Sequence, residues 1–436
     1  MKRLILSSII VAVLSFLPLS QAESQTSVAP DDGFLKRRGC ELILNGKPFY
    51  ELSFNKFDLF WQLLDAELER TGFGDRPAET AEQALKELNG FGFKTIRVFC
   101  LSWDPADYFD LDKRPKYLAA MDRMLDWCDK YDMRVVFSLG LGHQPISKLA
   151  GENFRDQMTR RDSKSGKLVT EYLTAMVTRY KDRKTIAMWE HTNELMLMAD
   201  IGGKSGVRNG IPMPTLDEVA QFHADMAALI RSIDQRHLIT TGDSYRSSSW
   251  HLHQFGLGNT DKMWELDTME QLGQAVALAQ KAVDAFHVHN YYGTEAFGFN
   301  QIMGPDGNPI PLKLADWRKI TDATGQPLYI GEIGTIAKKR DAENEKFWTE
   351  NPNWFESFEG PDAPKAKVLV QLVLDQILEA KPALTHWWTY QSNRNMDQKN
   401  PQRFDVDMRR TPEIVRMIVE ANRKLQRETM GFTYMK

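Results

Sequence analysis

Two glutamates in this chain follow apolar stretches of the kind that form buried strands. The first is Glu194, in Thr185-Ile-Ala-Met-Trp-Glu-His-Thr-Asn-Glu194-Leu195. The second is Glu332, in Pro327-Leu-Tyr-Ile-Gly-Glu332-Ile-Gly. A carboxylate delivered to the exit of a buried strand is costly to keep away from water, so its position points to chemistry. Two carboxylates flanking one site can divide the roles of acid and nucleophile if their surroundings split their pKa values. Hydrolysis of a glycosidic bond needs such a pair.

The two glutamates are far apart in sequence, so the fold must bring them together. Strand-like runs at 50–55, 94–100, 133–139, 185–191, 237–242, 284–290, 327–332 and 383–389 alternate with helical patterns at 80–89, 116–130, 168–180, 215–233, 268–282, 312–323, 362–380 and 412–427. Strict alternation implies a parallel sheet with right-handed crossovers, and eight units in one series imply an α/β fold of the (β/α)8 TIM barrel type. An open doubly wound sheet is the structural alternative. It would carry a glycine-rich phosphate turn after an early strand, and no Gly-x-Gly-x-x-Gly follows any strand here. Residues 56–78 read as a long aromatic connection. The linkers 200–214, 243–267, 291–311 and 335–361 are also long, and a barrel places them at the mouth where the two glutamates converge. Trp250, Phe255, Trp264, Trp348, Trp354 and Phe355 in these linkers are candidates to line a cleft for an extended, apolar-faced ligand.

These elements resemble the clan A glycoside hydrolases, and most closely glycoside hydrolase family 5. The resemblance rests on Asn193-Glu194 at the fourth strand, Glu332 at the seventh, Arg97 on the second, His289-Asn290-Tyr291 on the sixth and Trp388, beside Trp387, on the eighth. It implies that Glu194 is the acid/base and Glu332 the nucleophile of a retaining β-glycosidase of the cellulase or mannanase kind, acting on β-mannan or β-glucan. It also implies that Arg97, Asn193, His289, Tyr291, Trp388 and His143 surround the substrate. Arg97 would set a fixed positive charge beside Glu332, and Tyr291 would hydrogen-bond it. Asn193 would meet the sugar 2-hydroxyl, and Trp388 would form a stacking floor. The chain departs from the family pattern in having Leu195 where a proline usually follows the acid/base, and in its Trp-Glu-His-Thr lead-in.

Two other function classes bear on these residues. His287-Val-His289 and His251-Leu-His253 have the form of paired metal ligands, but a metal-dependent barrel hydrolase needs further ligands at other strand ends. A non-catalytic carbohydrate-binding barrel would be expected to have lost one of the glutamates. No metal and no cofactor is expected. Cys40, Cys100 and Cys128 cannot all pair within one chain and read as free thiols, with one disulfide between two of them as the alternative in an oxidising compartment. A net charge of −4 argues against a broad nucleic-acid surface. Residues 1–22, with Lys2 and Arg3 before an apolar run and Ser20-Gln21-Ala22 after it, read as a signal peptide. The expected protein is a secreted or periplasmic monomer, off the membrane once that segment is removed. A flexible lead-in over 23–39 would precede a single catalytic barrel over 40–430, with carbohydrate as its partner.

Overall fold

The computed structural model describes residues 32–70, 78–142, 144–258, 261–292, 300–335, 337, 349, 355–358, 360–391 and 405–434. The signal peptide and most of the expected lead-in lie outside these residues. The chain divides into two compact units, Met1–Asp32 and Gly33–Lys436, and the description that follows is of the second.

Eight strands build one parallel sheet: β1 Glu51–Asn55, β2 Thr95–Phe99, β3 Arg134–Ser138, β4 Ile186–Glu190, β5 Leu238–Thr240, β6 Phe286–Tyr292, β7 Leu328–Thr335 and β8 Leu384–Trp387. Their order is β5-β4-β3-β2-β1-β8-β7-β6. The ends meet where Asp284 N and Ala285 N both donate to Ile239 O, at 2.9 and 3.2 Å, so the sheet curls into a nearly closed barrel. The strands are covered on both faces, as parallel strands under crossover helices must be. The outer ring is α1 Ala78–Phe91, α2 Arg114–Lys130, α3 Lys164–Tyr180, α4 Leu216–Ile233, α5 Met269–Gln280, α6 Leu314–Thr324, α7 Ala363–Ala380 and α8 Pro412–Met430. Their starts are encoded locally. Ser163 caps α3, and Thr215 with Glu218 and Thr268 with Gln271 form capping boxes on α4 and α5. No helix among the described residues is long and apolar enough to cross a membrane.

Three expectations need correction. Residues 33–39 are not a flexible lead-in. Phe34 and Leu35 are buried, and Lys36–Arg38 pairs antiparallel with Glu41–Leu44, which turns at Asn45-Gly46 into Lys47–Phe49. The connection over 56–78 is not all loop. Leu59–Glu67 is a helix whose Leu59 to Leu64 are all buried, so it shows no amphipathic period to read. Strand β4 ends at Glu190, not near Glu194, which lies beyond it in the left-handed region at φ 53°. The three cysteines are free thiols.

Candidate active site

Arg97 organises the strand ends. It is fully buried on β2, and its guanidinium reaches across the barrel to two carboxylates. Nε and Nη2 grip Glu190 in a bidentate pair, each at 2.8 Å, while Nη1 donates to Glu332 Oε1 at 2.6 Å. Nη1 also meets Asn55 Oδ1 at 3.2 Å, and Nη2 donates to Asn193 Oδ1 at 2.6 Å. Such a fork needs the planar geometry of arginine, which lysine cannot reproduce. Asn55 is tied in turn to the Gly331 and His386 carbonyls. Glu190 and Asn55 were not among the residues singled out from sequence. Glu190 satisfies the same criterion that picked out Glu332, a carboxylate at the exit of a buried strand.

Glu332 lies on β7, buried, with Tyr291 Oη donating to its Oε2 at 2.5 Å. The β6–β7 register shifts between Val288 and His289, and His289 comes to pair with Glu332. A bulge of this kind re-aims side chains at a barrel rim. His289 Nδ1 lies 2.9 Å from Glu194 Oε1 and 3.6 Å from Glu332 Oε2. One oxygen of each glutamate and a nitrogen of His289 all fall within 4.8 Å of one another.

The loop after β4 holds Glu194 by its backbone. Glu194 N donates to Gly242 O at 2.7 Å, and Met196 N donates to Asp243 Oδ1 at 3.1 Å. Asp243 is buried and backed by His223 at 2.8 Å, which is itself 2.8 Å from His191. The Glu194 side chain keeps 35% of its exposure and lines a cavity. Burial of its carboxyl pushes its pKa up to about 7. Arg97 and Arg246 pull the other way, and the negative charge of Asp243 adds to the rise. Burial likewise holds His289 down to about 4, so its imidazole is neutral.

Both glutamates and Asn193 line a cavity of ≈ 270 Å³. Its aromatic wall is Trp388, Phe99, Trp61 and Trp103. Trp388 stacks on Phe57 with ring centroids 4.6 Å apart and planes within 15°. Trp103, at the rim, is 59% exposed. Trp61 and Trp103 were not anticipated. Of the loop aromatics that were, Trp250 packs near His253, Phe255 near His251 and Phe355 against Phe358, so they brace their own loops and do not line this cavity. Trp264 is exposed and also stands apart from the cavity wall, while Trp348, Trp354 and His143 lie outside the described residues. The histidine pairs do not converge as ligand pairs would. His251 bonds Asp267 and His253 bonds Asp200, while His287 and His289 face each other through Nε2 at 3.1 Å.

Comparison with known proteins agrees with this arrangement. A family model described as Cellulase (glycosyl hydrolase family 5) matches residues 50–358. Mannan endo-1,4-beta-mannosidase 3 of Arabidopsis thaliana is 26% identical over 266 residues, covering 53% of this chain and 56% of that protein. Mannan endo-1,4-beta-mannosidase 5 of Solanum lycopersicum is 26% identical over 239 residues, covering 49% and 51%. The chain thus spans about half the length of these curated relatives. In fold it is similar to a Glycoside Hydrolase Family 5 Mannosidase from Rhizomucor miehei, with a TM-score of 0.61 at 15% identity over 92% of this chain and 100% of that one. The β-mannanase of the blue mussel Mytilus edulis gives a TM-score of 0.52 at 13% identity, covering 92% and 99%. The family match takes in the first seven barrel strands and both glutamates, and the chain belongs to glycosyl hydrolase family 5.

Proposed function

We propose that the protein is a retaining β-glycoside hydrolase that cleaves β-linked mannan by double displacement. The observation that carries this reading is the convergence of Glu194 and Glu332, with an oxygen of each inside a 4.8 Å cluster. A closest oxygen approach of that size supports the retaining reading, in which the carboxyl groups stand about 5–5.5 Å apart, over the inverting one, in which about 6.5–9.5 Å admits a water. In the first step Glu332 attacks the anomeric carbon while Glu194 gives its proton to the departing glycosidic oxygen. In the second, Glu194 takes a proton from water as that water displaces Glu332 from the sugar. A pKa near 7 suits a group that must do both. Arg97 and Tyr291 orient Glu332. Because Asn193 Oδ1 accepts from Arg97, its amide nitrogen is the end left to donate to the 2-hydroxyl. Trp388 supplies the stacking face, and His143 is proposed to contact the substrate. The names of the similar plant proteins favour mannan over glucan. Residues 1–22 are proposed to direct the barrel out of the cytoplasm.

The test is a screen of purified protein on β-mannan, cellulose, mixed-linkage β-glucan and xylan, with proton NMR of the first-formed product anomer. Cleavage of mannan with the β-anomer appearing first is expected. The α-anomer first would overturn the retaining mechanism. Binding without turnover would make the chain a carbohydrate-binding barrel instead.

A further inference from the structure

His287 is buried beneath the site, touches no part of the cavity, and has no part in the reaction steps above. Its surroundings determine where its hydrogen sits. Thr240 Oγ1 gives its own hydrogen to the Ala285 carbonyl at 3.0 Å, so toward His287 Nδ1, at 3.3 Å, it presents only an acceptor. Glu190 Oε2, 3.6 Å from the same nitrogen, is a carboxylate oxygen already facing Arg97. Two acceptors on Nδ1 place the hydrogen there, and a neutral imidazole then has a bare Nε2. That bare nitrogen lies 3.1 Å from His289 Nε2, which must therefore be the donor. His289 is left with its lone pair on Nδ1, pointing at Glu194 Oε1 at 2.9 Å. The other oxygen near it, Glu332 Oε2 at 3.6 Å, already accepts from Tyr291. Among the described residues, the group placed to satisfy that lone pair is a hydrogen on Glu194.

We propose that His287 is a positioning residue that locks the tautomer of His289, so that His289 accepts a hydrogen bond from protonated Glu194 and opposes its ionisation. The opposite tautomer, with hydrogen on Nδ1, would donate to the Glu194 carboxylate and favour the form that cannot act as acid. The fold makes room for the lock. A Cβ at residue 331 would lie 1.8 Å from His287 Nε2, so the Gly331 that precedes Glu332 is the space the ring occupies. The peptide groups of His287 are pinned by Gln280, whose Oε1 accepts from His287 N at 2.7 Å and whose Nε2 donates to His287 O at 2.5 Å. Burial keeps both rings neutral, as the tautomer argument needs. The other charged or titratable groups facing this chain are Arg97, Asp243, Arg246 and Glu332 around Glu194 and His289, with Glu190, His191, His386 and Tyr329 around His287. None of them supplies Nδ1 of His289 with a hydrogen.

The inference rests on Glu194 as the acid, so its test is read independently of turnover. In the full protein labelled with 15N-histidine, His287 should show Nδ1–H and His289 Nε2–H, unchanged across the range in which Glu194 titrates. Nδ1–H on His289 would overturn the lock even if Glu194 proved to be the acid. The second measurement is the pH profile of kcat/KM. His287→Phe removes the acceptor and should move the basic limb down by about one pH unit, the size of one lost hydrogen bond to the neutral acid. His287→Gln, whose side-chain oxygen can accept from His289 Nε2–H, should restore most of that shift. A basic limb in His287→Phe at the wild-type position would also overturn the proposal. If His287→Phe does not fold, the wild-type tautomers decide alone. Loss of the Glu194 role itself would show separately, as wild-type turnover in Glu194→Gln.

Discussion

In the proposed mechanism Glu194 has to carry a proton at the start of the cycle and lack one at its midpoint, and the residues around it set both conditions. With its pKa at about 7, the acid form dominates below neutrality, so kcat/KM should fall as pH rises through that value. Glu332 is ion-paired and hydrogen-bonded by Arg97 and Tyr291, and Glu194 is not, which predicts different behaviour on mutation. Glu332→Ala should lose nearly all activity on every substrate. Glu194→Ala should lose about 10²–10⁴-fold on polysaccharide but much less on an aryl glycoside whose leaving group needs no proton. Azide should rescue Glu194→Ala as a β-glycosyl azide and Glu332→Ala as the α-azide. Reversed anomers would swap the two roles. Both glutamates are legible in the sequence because strand-end position and residue type together mark them, and Arg97, Tyr291 and Trp388 because they match the family pattern. Glu190 carries the same strand-end mark, but its pairing with Arg97, the role of Asn55 and the His287 to His289 contact are not legible. Their meaning depends on which strands lie opposite one another in the closed barrel, and no local pattern reports that.

At the level of elements, the loop after β4 that carries Glu194 borrows its shape from the end of β5. Thr192 N donates to Thr241 O at 2.9 Å and Glu194 N to Gly242 O at 2.7 Å. Gly242 has φ 89°, and a Cβ there would lie 2.2 Å from the Thr192 carbonyl oxygen. Gly242→Ala therefore meets both a backbone conformation unsuited to alanine and a clash with backbone that cannot swing aside. It should destabilise the fold by about 2–4 kcal/mol in urea titration. It should also lower kcat on mannan by at least about tenfold, because the displaced strand end carries Glu194 with it. Wild-type stability and kcat together in this variant would show that the loop holds its own shape. All eight strands and eight outer helices were readable from periodicity, their ends falling within a few residues of the observed ones. The short helices of the βα loops were not, since Leu59–Glu67 is buried against α2, α1 and β2, and Ser249–Phe255 largely against its own loop, rather than each showing a repeating apolar face.

Across the barrel as a whole, the end opposite the site holds Gly33, Phe34 and a buried carboxyl. Phe34 lies edge-on to His237 with centroids 4.9 Å apart, and Arg134 donates to the Gly33 carbonyl at 3.0 Å. Within the barrel, Glu51 on β1 accepts from Lys94 N at 2.7 Å and bonds Thr95 Oγ1 at 2.5 Å. Thr95 meets His386 Nε2 at 3.1 Å, and His386 Nδ1 meets Tyr329 Oη at 2.9 Å. No cation pairs with Glu51 within this chain of bonds, and burial pushes its pKa up to about 7. Its folded-state pKa thus exceeds its unfolded one of about 4.3, so the folded chain holds a proton that the unfolded chain releases. The stability from this group is fully present below the unfolded value and is lost as pH climbs through the folded one, by about 4 kcal/mol in all. Glu194, raised in the same way, adds a slope of the same sign. Asp234 acts oppositely. Burial alone would raise it, but the hydrogen bonds from His237 and Trp189 hold it well below the ordinary carboxylate range, and its contribution fails only in acid. The wild-type protein should therefore be most stable on the mildly acid side of neutrality. Glu51→Gln keeps the acceptor for Lys94 N and offers an amide N–H to Thr95, as the protonated acid does, but it cannot ionise. Its unfolding free energy should match the wild type at about pH 5 and exceed it by a few kcal/mol at about pH 8. Parallel pH–stability curves for the two proteins would show that Glu51 does not hold its proton in the folded barrel.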